Sequence, residues 1–275
     1  MKTLQLPLIA AQEVYTTIST ARRPATRRDR ILAASGSVFA AYDTYTGSAD
    51  DLVALDPADT TPASAADLEG NYDSGSRATQ ALKGAIFAHN AGGRCCLCAQ
   101  APAATLDHYL PKAEYPEFSI LPSNLVPACW RCNHAKRALF VDSDAALFVH
   151  SYLDALPTDV RFLYADIDDN DGELIVAFRI APPDAIGDAL AARIHTHFLG
   201  LRLADYYLGE AVNEISERRA AIAELLGAGA PADVLRDYLE REARSVATDK
   251  GINYWRFVLL DSLARYEPLL RGELM

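Results

Sequence analysis

Four short stretches between residues 95 and 136 decide how the middle of this chain folds. They are CCLC at 95–98, LDHYLPK at 106–112, PSNLVP at 122–127 and CWRCNHAK at 129–136. The first and last stretches each hold a Cys-x-x-Cys pair, Cys95 with Cys98 and Cys129 with Cys132. Each pair can turn the backbone so that two thiolates face one tetrahedral Zn²⁺, and four thiolates leave no position open for water. The spacing therefore predicts a structural zinc site.

The distribution of cysteine favours metal binding over disulfides. All five cysteines lie between Cys95 and Cys132, whereas a disulfide framework would spread them along the chain and would usually use an even number. Cys96 is an alternative ligand to Cys95, but a Cys96-x-Cys98 spacing is less usual for such a turn. Ordinary buried thiols would not explain why the cysteines pair across this one segment.

The residues between the two pairs resemble the HNH endonuclease family in its four-cysteine, zinc-bearing form. The resemblance covers about 94–137, roughly a sixth of the chain. It rests on Asp107-His108 after the first pair, Asn124 in the middle, and Asn133 directly after the last cysteine. It implies a β-hairpin followed by a helix, the ββα-metal arrangement, built as a treble-clef-like module around the structural zinc.

The resemblance also implies metal-dependent hydrolysis of a nucleic-acid phosphodiester. In this interpretation His108 is the general base, because a neutral imidazole accepts a proton near neutral pH. Asp107 and Asn133 supply oxygen ligands for a catalytic Mg²⁺ or Mn²⁺, and His134 is the alternative to Asn133. Asn124 holds the hairpin loop and thereby orients His108.

Three basic side chains are expected to contact phosphate. They are Lys136, one helical turn beyond Asn133, with Lys112 and Arg137 as weaker candidates. DNA is favoured over RNA as the substrate, since most HNH relatives cut or nick DNA, and a bacterial defence or restriction effector is the expected context. The alternative is a zinc-dependent nucleic-acid-binding or protein-binding module without catalysis, which would need the cysteines alone.

The charge distribution singles out the same segment. The formal net charge is −11, composed of −3 in residues 1–70, +3 in 71–140 and −11 in 141–275. Because phosphate binding needs a positive surface, the net-positive middle segment is the part suited to nucleic acid. The acidic C-terminal region is expected to bind a regulatory protein partner.

Nothing in the sequence predicts a membrane partner. No stretch reaches the eighteen or so uninterrupted apolar residues of a spanning helix, and the first fifteen residues contain Glu13 before any convincing cleavage site. We therefore expect a cytoplasmic protein.

The chain is predicted to be a predominantly helical α+β protein in three regions. These are an N-terminal helical region with an arginine-rich run and a linker (1–70), the HNH module (71–145), and a β-hairpin followed by acidic helices (146–275). Periodicity predicts helices at 76–91, 184–199, 201–227, 231–246 and 252–269, and strands at 161–167 and 173–180. Residues 47–70 are interpreted as an irregular connection. The five arginines in 22–30 are interpreted as a solvated helix face or partner contact, with an arm on the nucleic-acid backbone as the alternative.

Overall fold

Helices dominate the structure, and the strands form short antiparallel pairs. The computed structural model describes residues 1–45, 47, 49–142, 145–146 and 148–274. The chain divides into two compact units, Met1–Leu156 (unit 1) and Pro157–Met275 (unit 2). The predicted predominantly helical α+β class is confirmed.

Unit 1 combines helices with short strands. Its helices are α1 (Ala11–Thr20), α2 (Ala25–Ala33), α3 (Ser35–Thr44), α4 (Ala65–Asp73), α5 (Arg77–His89) and α6 (Trp130–Lys136). Its strands are β1 (Thr105–His108), β2 (Leu125–Ala128), β3 (Val141–Asp142) and β4 (Ala145–Ala146). Helix α1 packs against α5, and α4 packs against the 3-10 turn Pro116–Phe118. The predicted segments 1–70 and 71–145 therefore both contribute to one compact unit.

Helix α4 begins inside the stretch that the sequence presents as irregular. Ser64 Oγ accepts a hydrogen bond from the Asp67 backbone N–H at 3.2 Å, and Asp67 Oδ2 accepts one from the Ser64 N–H, also at 3.2 Å. This reciprocal capping box satisfies two backbone donors that the first turn leaves without partners. The prediction for 47–70 is wrong from Ala65 onward, because the Pro and Thr residues before the cap concealed it.

Helix α5 confirms the helix predicted at 76–91. Ser76 caps its start, since Ser76 Oγ accepts from the Thr79 N–H at 3.1 Å. The helix ends at His89, and Gly92 and Gly93 beyond it both have positive φ, a conformation that glycine adopts without strain. The chain then enters the cysteine-rich segment directly.

A hairpin and a short helix follow α5. Strand β1 pairs antiparallel with β2, with Thr105 opposite Ala128 and His108 opposite Leu125. One residue after β2, helix α6 begins at Trp130. This β1–β2–α6 order places the end of β1 close to α6, which packs on that strand.

Unit 2 is built on a long hairpin and helices. Its elements are β5 (Leu163–Asn170), β6 (Glu173–Ile180), α7 (Asp188–Gly200), α8 (Leu203–Gly227), α9 (Ala232–Lys250), α10 (Trp255–Leu263) and α11 (Glu267–Leu270). The predicted hairpin is confirmed, and Asp171-Gly172 forms its turn with positive φ at both positions, as two-residue hairpin turns require. The predicted helices are confirmed with shifted ends, and 252–269 is interrupted between Leu263 and Glu267. Among the residues described, no helix is both long enough and apolar enough to cross a membrane.

Candidate functional site

The four predicted cysteine ligands meet in one buried cluster. The Sγ atoms of Cys95, Cys98, Cys129 and Cys132 all lie within 4.8 Å of one another. In a tetrahedral site with Zn–S bonds of about 2.3 Å, neighbouring sulfurs lie about 3.8 Å apart, a spacing that a cluster within 4.8 Å is compatible with. The donor set and its burial are compatible with a structural zinc, which these four residues would hold.

Cys96 stands outside this cluster, as the spacing predicted. It is buried, and its backbone N–H donates to the Pro127 carbonyl at 2.9 Å. Burial raises the pKa of its thiol to about 11. Cys96 therefore contributes a buried, protonated thiol to the packing beside β2.

The cysteine cluster fixes the start of helix α6. Cys129 occupies the N-cap position, and its Sγ accepts a weak hydrogen bond from the Cys132 N–H at 3.5 Å. Asn133 follows on the same turn, and its Nδ2 donates to Thr105 Oγ1 on β1 at 2.9 Å. The cysteines thus position Asn133 against β1.

Asp107 and Lys136 form a buried ion pair. Lys136 Nζ lies 3.0 Å from Asp107 Oδ2, and the two side chains are 0% and 2% exposed respectively. Burial raises the pKa of the Asp107 carboxyl, and the nearby ammonium opposes that shift. Lys136 Nζ also donates to the carbonyls of His108 at 2.9 Å and Tyr109 at 3.1 Å. The prediction that Lys136 contacts phosphate is wrong, because this ammonium is enclosed and saturated by protein groups.

His108 lies at the end of β1 with a defined tautomer. Its Nε2 lies 2.9 Å from the Ser119 carbonyl oxygen, and because a carbonyl only accepts, Nε2 must carry the proton. The Nδ1 atom therefore carries the lone pair. Burial lowers the pKa of the imidazole to about 4, although the Ser119 hydrogen bond opposes the shift. The ring is neutral at physiological pH.

Asn124 ties both ends of the loop between β1 and β2. Its Oδ1 accepts from the Leu110 N–H at 2.8 Å and from the Tyr45 hydroxyl at 3.0 Å. Its Nδ2 donates to the carbonyls of Leu110 and Phe118, each at 3.1 Å. The side chain is 0% exposed, so these bonds replace those that water would otherwise make.

Two residues that the sequence did not single out support the hydrogen bonds of Asn124. His150 Nδ1 accepts from the backbone N–H groups of Tyr152 at 3.1 Å and Leu153 at 3.2 Å, so its Nε2 is the protonated nitrogen. That nitrogen lies 3.0 Å from the Tyr45 oxygen, and Tyr45 in turn donates to Asn124. The sequence gives no signal for this series of hydrogen bonds, because Tyr45 and His150 are more than a hundred residues apart.

The remaining predicted residues lie at the surface. His134 and Arg137 are exposed at the end of α6, and Lys112 is 30% exposed with its Nζ 2.6 Å from Asp73 Oδ2. Trp130, at the first position of α6, is 72% exposed. These side chains are accessible to a ligand, unlike Lys136.

The arginine-rich run is partly committed to protein contacts. Arg27 and Arg30 both form ion pairs with Asp67, at 2.9 Å in each case, and the Asp67 side chain is only 2% exposed. Arg28 pairs with Asp29 at 2.8 Å. Arg27 and Arg30 thereby fasten α2 to α4, a role within the chain that differs from the predicted solvated face or partner contact.

A distant relative is found among known proteins. Protein ea31 of Escherichia phage lambda is 26% identical over 197 residues, which cover 66% of this chain and 65% of the phage protein. The match thus spans less than two thirds of that protein's length. No family model matches the chain, and no solved structure matches it significantly.

Proposed function

We propose that this protein is a zinc-stabilised, metal-dependent nuclease of the HNH, ββα-metal type that hydrolyses phosphodiester bonds, with DNA as the preferred substrate. One observation carries the proposal. In the β1–β2–α6 unit, Asp107 and His108 are consecutive residues of one strand, and Asn133 of the helix donates to Thr105 of the same strand, beside a cluster that suits zinc. A binding module would need the cysteines alone.

His108 is suited to the role of general base. Its Nε2–H is held by the Ser119 carbonyl, which leaves Nδ1 to accept a proton from an attacking water. Because burial lowers the pKa of the ring to about 4, the base is already deprotonated at neutral pH. Asn124 and its partners hold the loop that contains Ser119, and thereby fix the ring.

Two oxygen donors are suited to a catalytic Mg²⁺ or Mn²⁺. Asp107 Oδ2 faces Lys136 Nζ at 3.0 Å, and a divalent cation at this carboxylate would displace that ammonium. Asn133 donates through Nδ2 to Thr105, so its Oδ1 is the atom offered to a ligand, with His134 as the alternative. Such an ion, when bound, stabilises charge on the phosphate and the leaving oxygen.

A second candidate function is nucleic-acid or protein binding without catalysis. The observation that favours it is the Asp107–Lys136 ion pair, because an ammonium 3.0 Å from the carboxylate competes with a divalent cation for it. The role in bacterial defence or restriction, and a regulatory partner for the acidic region 146–275, stay predictions.

The proposal is tested by incubating the purified protein with plasmid DNA and with RNA, with Mg²⁺, Mn²⁺ or neither. We expect cleavage of DNA that requires the added metal. His108→Ala should reduce the rate by about a hundredfold or more, the usual scale for loss of positioned proton transfer. His195→Ala, an exposed histidine of unit 2, is the matched control and should cut normally.

His134→Ala separates the two metal schemes. Near-normal cleavage supports Asn133 as the ligand, whereas a loss that excess Mn²⁺ repairs supports His134. If the parent protein and His108→Ala cut at the same rate on every substrate, the nuclease mechanism is wrong and the binding module takes its place.

A further inference from the structure

A tyrosine and two lysines from the surrounding helices and loop stand beside His108. The Tyr72 ring, at the end of α4, meets the His108 ring edge to face with centroids 4.5 Å apart. Lys83 Nζ, from α5, lies 3.7 Å from the same Tyr72 centroid, and Lys112 Nζ lies 5.4 Å from it. Both ammonium groups are therefore within about 10 Å of the imidazole.

The charges in this cluster do not balance. Asp73 forms an ion pair with Lys112 at 2.6 Å, and it also attracts Lys83 and Arg22 electrostatically. Lys83 forms no ion pair among the described residues. Lys83 and Lys112 thus share the carboxylate of Asp73, whereas Arg22 also interacts with Asp67, so the two lysines leave a positive charge beside Tyr72.

Lys83 is placed to gain from an incoming anion. It is half-buried, and both burial and the proximity of Lys112 lower the pKa of its ammonium, with Asp73 opposing them. A partly desolvated cation held over an aromatic face is fixed in position, but its charge lacks a close counterion. A phosphate group would supply one without a large loss of side-chain entropy.

We propose that Tyr72, Lys83 and Lys112 form a binding site for the backbone phosphates that flank the phosphodiester at His108. The inference rests on the proposed function and adds a substrate-positioning site outside the β1–β2–α6 unit. Phosphates of one DNA strand are spaced about 3.4 Å apart along the helix axis. The two ammonium groups are therefore within reach of the next few nucleotides.

The test measures binding of a fluorescein-labelled DNA duplex by anisotropy, over a range of salt concentrations and without divalent metal. Each phosphate contact that is lost should reduce the slope of log affinity against log salt by about one. Lys83→Ala and Lys112→Ala should each flatten the slope by about that amount, and the double variant by about two. Asp73→Asn should act in the opposite direction on affinity, with tighter binding at an unchanged slope, because it removes a negative charge beside the phosphates and adds no new contact.

Matched controls come from unit 2 and from the tyrosine itself. Lys250 and Asp249 form an exposed ion pair at 2.8 Å, so Lys250→Ala and Asp249→Asn repeat the same charge changes away from the cluster. They should leave affinity and slope unchanged. Tyr72→Phe keeps the aromatic face under Lys83 and should bind like the parent, whereas Tyr72→Leu should weaken binding.

Binding and cleavage fail separately in this design. Unchanged slopes for both lysine variants overturn the phosphate site, even where the parent cuts DNA and the nuclease proposal stands. If both lysine variants flatten the slope but the parent protein never cuts DNA, the phosphate site is supported and the nuclease proposal is overturned. A parent that neither binds nor cuts DNA overturns both.

Discussion

The two units bury very different side chains. Among the described residues, fourteen polar or charged side chains are buried in unit 1, whereas unit 2 buries only Arg193 and His197. The interior of unit 2 is packed mainly by apolar side chains of the hairpin and the helices. Buried polar groups are costly unless each finds a partner. The stability of unit 1 therefore depends on hydrogen bonds and ion pairs between buried groups, whereas that of unit 2 depends mainly on apolar packing.

The largest effect should come from breaking the cysteine cluster. We expect about one equivalent of zinc in the purified protein, and loss of that zinc with unfolding of unit 1 in Cys98→Ser and Cys129→Ser. Structural zinc sites contribute about 10–16 kcal/mol of apparent binding free energy that is coupled to folding. Metal analysis and circular dichroism provide the measurement.

Cys96→Ser is the matched control, because Cys96 lies outside the cluster; it should retain zinc. Unit 2 should stay folded when zinc is lost, and Trp255, its buried tryptophan, reports that by fluorescence in a Trp130→Phe background. Absence of zinc from the parent, or a disulfide among the four cysteines, would contradict the prediction.

The next effect concerns the ion pair in unit 1. Lys136→Met keeps the side-chain length but leaves Asp107 buried without its cation, and such a change costs about 3–5 kcal/mol. Leu259→Met in the apolar core of unit 2 should cost less than about 1.5 kcal/mol. Urea unfolding followed by hydrogen–deuterium exchange of peptides from each unit measures both. If Lys136→Met and Leu259→Met reduce the free energy of unfolding equally, the proposed difference between the two units is wrong.

A pair of asparagines compares the units at a finer scale. Asn253 in unit 2 accepts from the N–H groups of Phe162 and Leu163 at 2.8 and 3.2 Å and donates to Val160 at 2.9 Å. It is only half-buried, whereas Asn124 is fully buried. Asn124→Ala should cost about 3 kcal/mol and Asn253→Ala about 1 kcal/mol, because water can replace only the second amide. A larger loss at Asn253 in thermal unfolding would refute this order.

The smallest effect is a gain that depends on pH. Burial raises the pKa of Glu117 above its ordinary value, and the hydrogen bond from the Ala58 N–H at 2.8 Å only opposes it. As pH rises from the pKa of Glu117 in the unfolded chain to its higher pKa in the folded state, the folded state retains a proton that the unfolded chain has released. The free energy of unfolding therefore falls across this range. Glu117→Gln should therefore raise the melting temperature of unit 1 slightly at pH 7.5 and lose that advantage below about pH 4.5.

Glu214 in unit 2 gives the opposite sign. It forms ion pairs with Arg218 at 2.6 Å and Arg256 at 2.8 Å, so Glu214→Gln should lower stability at neutral pH. If Glu117→Gln leaves the melting temperature unchanged or lowers it at pH 7.5, the buried Glu117 carboxylate does not destabilise unit 1.

The sequence predicts what local patterns determine. Cysteine spacing identifies the four clustered sulfurs, and periodicity finds α5 and the long hairpin. The sequence did not reveal the burial of Lys136, because a lysine three residues after Asn133 has the same spacing whether it faces solvent or a carboxylate. The Tyr45–His150 bridge and the position of Lys83 over Tyr72 depend on how distant segments pack. No periodicity records those contacts, and only the capping box at Ser64 was a local signal left unused.

Zinc bound by the four cysteines would close the chain into a ring. The ring begins at the Cys95–Cys98 pair, ends at the Cys129–Cys132 pair, and contains β1, β2 and the loop that Asn124 clamps. The entropy cost of closing a loop rises only slowly with its length, and once the metal has closed the ring, its two ends stay fixed relative to each other. A protease cut at the exposed residues 113–114 of that loop would therefore leave two fragments still joined through the metal. New chain termini opened in that loop should be tolerated better than an insertion between Cys129 and Cys132.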